Sequence, residues 1–415
     1  MRSHLRLAAA VAGVVTLFVG AACGNGPATV TDTSPIKIGE LFAISGARAF
    51  IGNIETNGAA IGVYEVNNNG GVMGRQLVEH PEDTGGDAVD AVPAFRKIML
   101  DKPSFFLGPS SVDFSSVIKE FDAVKTPAFF FGGTTQLDQN PYKYVFRTTA
   151  SDSDLTAAEA YFAIQKGWTN AVMIFDNTSD AVAELTNLTK YYTNHGGKVL
   201  QTVSLVPAQS SYRTEVTKAF QTKPDVVFFK TDPQTSATLF SNMKELGDLN
   251  GPVVGDDTAP EPDFTKAMGV AYASKYLYGM SGSPVQGTAN DHFLASWNAA
   301  KPGKSVTVGA RNLYDAVIIS ALAMTLAKSS DPTVWTTRVT DVTNPPGTLC
   351  NIYADCVKLL NQGKKINYQG AAVTAGFDRY RNTFGDWLVT QVGADGTTQN
   401  GILKVPATAV ASYKS

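Results

Sequence analysis

Short apolar runs rich in β-branched and aromatic residues alternate with longer stretches of helical periodicity along most of the chain. The first runs are IKIGELF from Ile36, QLVEH from Gln76, SFFLG from Ser104 and AFFFG from Ala128. Apolar residues at helical spacing between them predict helices over 56–69 and 87–100, and another before AFFFG. The rhythm restarts with NAVMIFD from Asn170, followed by a predicted helix over 180–194, KVLQTVSLV, a helix over 212–222, DVVFFKT, a helix over 233–246 and GPVVGDD. Strands alternating with helices argue for parallel sheets with crossover helices. The expected class is α/β, with two doubly wound parallel-sheet units.

The pattern also disposes of three glycine- or serine-bearing motifs. NNNGGVMGR, residues 67–75, is dense in glycine and ends in a cation, but a phosphate loop requires strand, loop and helix in that order. Here Ala59, Val63 and Val66 give helical spacing before the glycines and QLVEH follows them, so Gly70 or Gly71 supplies a left-handed helix stop. Asp83-Thr84-Gly85 matches an aspartic-protease loop in letters. That chemistry needs two carboxylates sharing a proton, no second triplet exists, and Pro81-Glu82 stands where a strand is required. GMSGS, residues 279–283, lacks the last glycine of a nucleophile elbow, because Ser283 occupies its place.

The N-terminus changes the picture by setting a compartment. Arg2 and Arg6 precede an apolar run over 7–19 and then Gly20, Ala21 and Ala22, which reads as an export signal over 1–22. Cys23 follows in VGAAC, similar to the acylation box of bacterial lipoproteins, although Gly20 stands where leucine is usual. Lipidation of Cys23 on a cell membrane is the expectation, and cleavage with free secretion is the alternative. Residues 24–35 are small, polar and proline-punctuated, as a tether requires. The chain has three cysteines, so acylating Cys23 leaves one pair. Cys350 and Cys356 are expected to form a disulfide outside the cell. A metal pair is the competing reading, and the body's His80, His195 and His292 are not spaced as co-ligands, so no metal is expected. A formal net charge of -3 gives no general attraction to nucleic acid. No later apolar run approaches the roughly 18 residues of a spanning helix.

Ligands of doubly wound folds bind beyond the carboxyl ends of strands. Pro109, Ser110 and Ser111 follow SFFLG; Gly132, Gly133, Thr134 and Thr135 follow AFFFG; Asn177, Thr178, Ser179 and Asp180 follow NAVMIFD. Thr231 and Asp232 follow DVVFFK, and Asp256 and Asp257 follow GPVVG. The first unit therefore offers hydroxyls and glycine amides, which suit a carboxylate. The second offers carboxylates, which suit an ammonium. A zwitterion such as an α-amino acid would bridge them; the competing reading is that Ser110, Ser111, Thr134 and Asp180 only cap helices.

With these pieces in order, residues 36–398 resemble a type I periplasmic-binding protein of the branched-chain amino acid transporter group. The resemblance is carried by IKIGELFAISG, NGAAIGVYEVNNNGGVMGRQL, FLGPSS, YVFRTTASDSD, AVMIFDNTSD, KPDVVFFKTDPQTSATLFSNMKELG, VVGDD and FDRYRNTFGDWLVTQV, read as a late strand pair. It implies two lobes joined by a three-crossover hinge near 147–152, 277–284 and 371–377. The first lobe would hold 36–149 and 285–370, the second 150–284 and 371–405. It further implies an extracytoplasmic receptor, without cofactor or catalysis, that delivers a small solute to ABC permease subunits.

In the family the serine loop, here aligned to Ser110, Ser111 or Val112, and the loop aligned with Gly132 to Thr134 hold the ligand carboxylate. An acidic residue in the place of Asp257, or Asp256 one residue earlier, meets the ammonium. Asp180 and Thr231 fall at side-chain positions of the cleft where aromatic residues common in relatives are absent, and Phe50 or Ile51 replaces a cleft tyrosine or tryptophan. The solute is thus an amino acid or, alternatively, a small amide, carboxylic acid or aromatic acid. A secreted hydrolase on a similar scaffold is the competing class.

Overall fold

The computed structural model describes residues 32–46, 49–109, 113–256, 258–260, 262–283, 287–307, 309–372 and 376–414. Cys23, the export signal, Ser110, Ser111 and Asp257 lie outside them. Strands β1 (Ile36–Phe42), β2 (Leu77–Asp83), β3 (Phe105–Leu107), β4 (Ala128–Phe130) and β5 (Val145–Arg147) form a parallel sheet in the order β2-β1-β3-β4-β5. Strands β6 (Asn170–Asp176), β7 (Lys198–Leu205), β8 (Val226–Lys230), β9 (Val253–Gly255) and β10 (Leu277–Gly282) form the parallel part of a second sheet. The chain then makes a small parallel pair, β11 (Thr348–Cys350) and β12 (Ile366–Tyr368). It closes with β13 (Trp387–Val392) and β14 (Gln399–Val405), which extend the second sheet antiparallel into the order β14-β13-β10-β9-β8-β6-β7.

The central strands of the two large sheets are buried on both faces, which is why they read as continuous apolar runs. Along β3, Phe105 packs with Phe42, Phe129, Tyr314 and Trp335 on one face, while Phe106 joins Phe95, Phe121 and Phe130 on the other. In the second lobe Phe228 and Phe229 divide in the same way. The helix Ala310–Ala327 returns to the first lobe and lies against the helix Ala49–Asn68. Their approach depends on two glycines one turn apart: a Cβ on Gly58 would stand 2.1 Å from the Ala310 carbonyl oxygen, and one on Gly62 would stand 2.8 Å from Val317 Cβ.

The corner at 67–75 is a helix stop. Gly71 N–H donates to Val66 O at 2.9 Å, Gly70 and Gly71 have φ of 92° and 64°, and a Gly71 Cβ would meet Arg75 O at 2.1 Å. This closes the helix in the left-handed manner expected. The preceding helix begins at Ala49, seven residues before the predicted 56; its early turns lie against the backbone after β1, where a Cβ on Gly52 would stand 2.2 Å from Ala43 O. The proline argument against a strand before Asp83 fails, since β2 runs through Pro81 to Asp83. An edge strand tolerates proline because one side of it has no partner. GMSGS lies largely within β10, where Ser281 pairs with Leu388 in an antiparallel ladder, so it forms no elbow.

Three segments cross between lobes. The first leaves β5 and enters the helix Asp152–Gln165, and the second leaves β10 for the helix Thr288–Ala300. The third comes later than 371–377: Phe377 still packs in the first lobe's core, and the second sheet is reached at Trp387. FDRYRNTFG is not a strand of the second sheet. Its Asn382 makes an isolated bridge with Arg147, and the strand that follows β13 and pairs with its free edge is Gln399–Val405, most of whose residues are exposed.

Cys350 and Cys356 are joined by a disulfide, which ties the end of β11 to the helix Tyr353–Asn361. Changing both to serine is expected to lower stability by about 2 kcal/mol, the chain-entropy value for so short a loop. Urea denaturation checks this, and an unchanged midpoint would contradict it. Among the described residues no single helix is long and apolar enough to cross a membrane.

Candidate functional site

Adjacent strands β6, β8 and β9 deliver polar residues at their carboxyl ends, beyond cores that are entirely apolar. The helix Ser179–Asn194 follows β6 and places Asp180 and Glu184 on one face, four residues apart. Lys230 ends β8, and Asp256 follows β9. Lys230 Nζ pairs with Glu184 Oε1, and lies 3.5 Å from Asp256 Oδ2 and 3.7 Å from Asp180 Oδ2. Exposure is graded across the group: the Glu184 side chain is 3% exposed, Asp256 14%, Lys230 18% and Asp180 35%, so Asp180 forms the outer rim. The other Asp256 oxygen, Oδ1, accepts Thr258 N–H at 3.0 Å and Thr258 Oγ1 at 2.7 Å, which holds the carboxylate in place.

A fourth carboxyl comes from the hinge. Asp152 opens the first helix of the second lobe, its N–H donates to Gly133 O at 2.7 Å, and its Oδ1 would stand only 1.7 Å from a Cβ on Gly133. Gly133 is therefore glycine because the carboxyl occupies the place of a side chain. Arg147, buried at the end of β5, donates from Nη1 to Thr134 O at 3.1 Å and Gly133 O at 3.4 Å. The Gly132–Thr134 backbone is thus clamped from both sides.

One lysine does not neutralise this group. Burial raises Glu184 well above the usual carboxylate range, against the pull of Lys230 and with Asp152 and Asp256 adding to the rise. Asp152 is pushed up to about 6 by burial; Lys230 and Arg147 oppose the shift, and Asp180 and Asp256 add to it. For Lys230 burial works against the charge, but Glu184, Asp256, Asp180 and Asp152 outweigh it and hold the amine protonated. The cluster holds more carboxyl groups than cations, so a further positive charge beside it would be stabilised. Among the described residues no three such groups are arranged to hold a metal ion.

The residues singled out from sequence divide. Asp180 is in the cluster, and Asp256, the one-residue alternative to Asp257, is there too. Thr231 is buried with its hydroxyl 2.6 Å from Ser236 Oγ, and Thr134 caps the turn Thr135–Leu137, so both hydroxyls serve the fold. Gly132 is buried beside Gly133. Phe50 lies on the helix Ala49–Asn68, and its side chain is outside the description. Lys230, Glu184, Asp152 and Arg147 were missed. The available signals were a lone cation ending the apolar run VVFFK and the i, i+4 acids opening a helix.

Next to the serine loop, buried Asp113 bonds Thr84 Oγ1 and is pushed up to about 6 by burial, opposed by the Thr84 hydroxyl and reinforced by Asp87 and Asp83. Asp83, of the protease-like triplet, accepts N–H groups from Ile44 at 2.9 Å, Ser45 at 3.1 Å and Gly85 at 2.8 Å, which fixes a loop. An open cavity of about 420 Å³ beside the disulfide, lined by Leu349, Cys350, Asp355 and Lys358, shares no residue with the cluster and lies at the small β11–β12 pair, away from the carboxyl ends of the two large sheets.

A family described as periplasmic binding protein matches residues 35–348. A Leu/Ile/Val-binding protein of Rhizobium johnstonii is 24% identical over 236 residues, covering 55% of this chain and 63% of that protein. The match therefore spans less than two thirds of that relative. The substrate-binding protein LivJ of a Streptococcus pneumoniae branched-chain amino acid transporter, solved with isoleucine, superposes with a TM-score of 0.75 at 19% identity, over 90% of this chain and 99% of that one. A Rhodopseudomonas palustris ABC transporter solute-binding protein, solved with benzoate, superposes at 0.71 with 15% identity, over 90% and 97%. The shared feature is the fold.

Proposed function

We propose that this chain, which belongs to the periplasmic binding protein family, is the solute-binding component of an ABC importer and captures an amino acid or a close amine-bearing relative between its lobes. It closes around the solute, performs no chemistry on it and passes it to membrane permease subunits. Acylated Cys23 anchors it outside the cytoplasm. Amides and hydroxyls at Ser110 and Ser111 and backbone amides of Gly132 to Thr134 receive the carboxylate, while Asp180, Asp256 and Asp257 receive the amine. The observation that carries this reading is the surplus of carboxylate around Lys230, which a second cation would relieve. Lys230 itself favours a second reading, a carboxylic or aromatic acid that meets the lysine in place of an amine.

Binding against pH separates the two. Asp152 holds its proton up to about pH 6 in the free protein. An incoming ammonium stabilises the ionised carboxylate, so binding releases protons below that pH and affinity rises as pH increases through it. An anion without an amine has the opposite dependence. The solute retained by purified protein is identified by mass spectrometry and then titrated calorimetrically from pH 5 to 7.5. Affinity falling over that range, or a retained solute with no amine, overturns the amino-acid reading.

A further inference from the structure

The loop between β4 and β5 has a second role at its far end. Past Gly132 to Thr134 it turns through Leu137 and Asp138 to Asn140, and Leu137 is buried in the first lobe's aromatic core. Two crossovers grip this turn. From the third, Asn382 Nδ2 donates to Leu137 O at 2.6 Å and Arg381 Nη2 to Asn140 O at 3.2 Å. The same segment pairs with β5, Arg147 N–H donating to Arg381 O at 2.9 Å and Thr383 N–H to Arg147 O at 3.1 Å.

The first crossover meets the turn through one carboxylate. Asp138 Oδ1 accepts Arg147 Nη1 at 3.0 Å and Ser151 Oγ at 2.5 Å, and Oδ2 accepts Ser153 Oγ at 2.9 Å. Ser151 and Ser153 are buried at the start of the helix Asp152–Gln165, whose Leu155, Ala158 and Phe162 pack in the second lobe. Between them Asp152 meets Gly133 and the electrostatic field of Lys230, Asp180 and Asp256.

We propose that Asp138 is a positioning residue that couples the solute-contact loop to the lobe angle. Its grip on Ser151 and Ser153 sets the direction in which the second lobe leaves the hinge, and it aims the intervening Asp152 at the cleft. The loop 132–140 then acts as one lever, with solute at one end and the pivot of two crossovers at the other. This rests on the reading of the cleft as the solute site. Charge-assisted bonds to Asp138 are strong enough to hold such a geometry, and a smaller closure-competent fraction weakens apparent affinity in proportion.

The test uses the mature chain with spin labels at exposed Leu100 and Val206, one on each lobe. Wild type, Asp138→Asn, Ser151→Ala with Ser153→Ala, and the paired threonine replacements are compared. The apo interlobe distance distribution and the half-saturating concentration of an equimolar mixture of the twenty L-amino acids are read. Both disrupting variants are expected to broaden the apo distribution and raise half-saturation about tenfold, and the threonine pair, which keeps both hydroxyls, to resemble wild type. Asp138→Asn leaves the Ser151 helix cap in place, so its effect is not loss of a cap. Folded disrupting variants with wild-type distributions overturn the proposal, as does broadening with unchanged half-saturation. If the mixture fails to bind wild type, the solute reading falls and the apo distances alone decide on the clasp.

Discussion

Replacing Lys230 with methionine is expected to destabilise the protein by about 3 to 5 kcal/mol near neutral pH, the range for removing one partner of a buried ion pair. The lysine is the cation that faces Glu184, Asp180 and Asp256 together, and Glu184 is nearly inaccessible to water. Methionine fills similar volume, so the loss reports charge rather than a cavity. The sign of its pH dependence follows from the carboxyl groups. Glu184 and Asp152 already hold their protons above the range of an unfolded chain. Removing the cation raises them further. Their neutral forms avoid the cost of unpaired charge, so the loss is largest above the raised values and shrinks as pH falls towards that of unfolded carboxyls. Urea denaturation at pH 5 and pH 8 reads the difference. Adding Glu184→Gln to the variant should recover a large part of it. A loss below about 1 kcal/mol at pH 8 would remove the claim that the cluster depends on this cation.

Asp315→Ala is expected to cost about 3 to 4 kcal/mol, through buried donors left without an acceptor at roughly 1 kcal/mol or more each. Asp315 is fully buried on the helix Ala310–Ala327. Its Oδ1 accepts the Tyr368 hydroxyl at 2.8 Å and Ala371 N–H at 3.0 Å, and its Oδ2 accepts Ala372 N–H at 2.7 Å. The Gly370 Cα packs against the same carboxyl, where a Cβ would stand 2.2 Å from Oδ1. Burial, with Asp315 alongside, keeps the Tyr368 hydroxyl protonated and therefore a donor. Asp315→Asn retains one acceptor and should cost about half as much; Tyr368→Phe removes one donor and leaves the carboxylate two amides, for about 1 kcal/mol. Chemical denaturation of the three variants checks the ranking. Equal losses for Asp315→Ala and Tyr368→Phe would show that the backbone amides contribute nothing.

Much of the fold was legible because it rests on local or periodic rules. The apolar runs announced buried strands, and β6, β7, β8 and β9 fall where they were read. Gly71 announced a left-handed stop, since a side chain there would strike Arg75 O. The disulfide was expected from three cysteines in a chain read as exported and acylated at Cys23, and Cys350 and Cys356 are joined. Less was legible where an element lacks its own pattern. Mostly exposed β14 lies in the sheet with β13 as its partner, and 377–386 docks on β5 through backbone and side-chain bonds that no periodicity records.

The site divides along the same line. Sequence by itself determined which residues follow each strand, and hence that acids would stand at the carboxyl ends of the second sheet, because parallel strands all present those ends on one side. Only the tertiary structure decided their company. Strand order β9-β8-β6 sets Lys230 between Asp256 and the helix bearing Asp180 and Glu184, residues dozens of positions apart in the chain. The hinge adds Asp152, and packing turns the Thr134 and Thr231 hydroxyls inward to cap and cross-bond. Which face a residue shares, and with which charges, depends on strand order and burial rather than on spacing along the chain. The surplus negative charge of the cleft is therefore a property of the folded molecule alone.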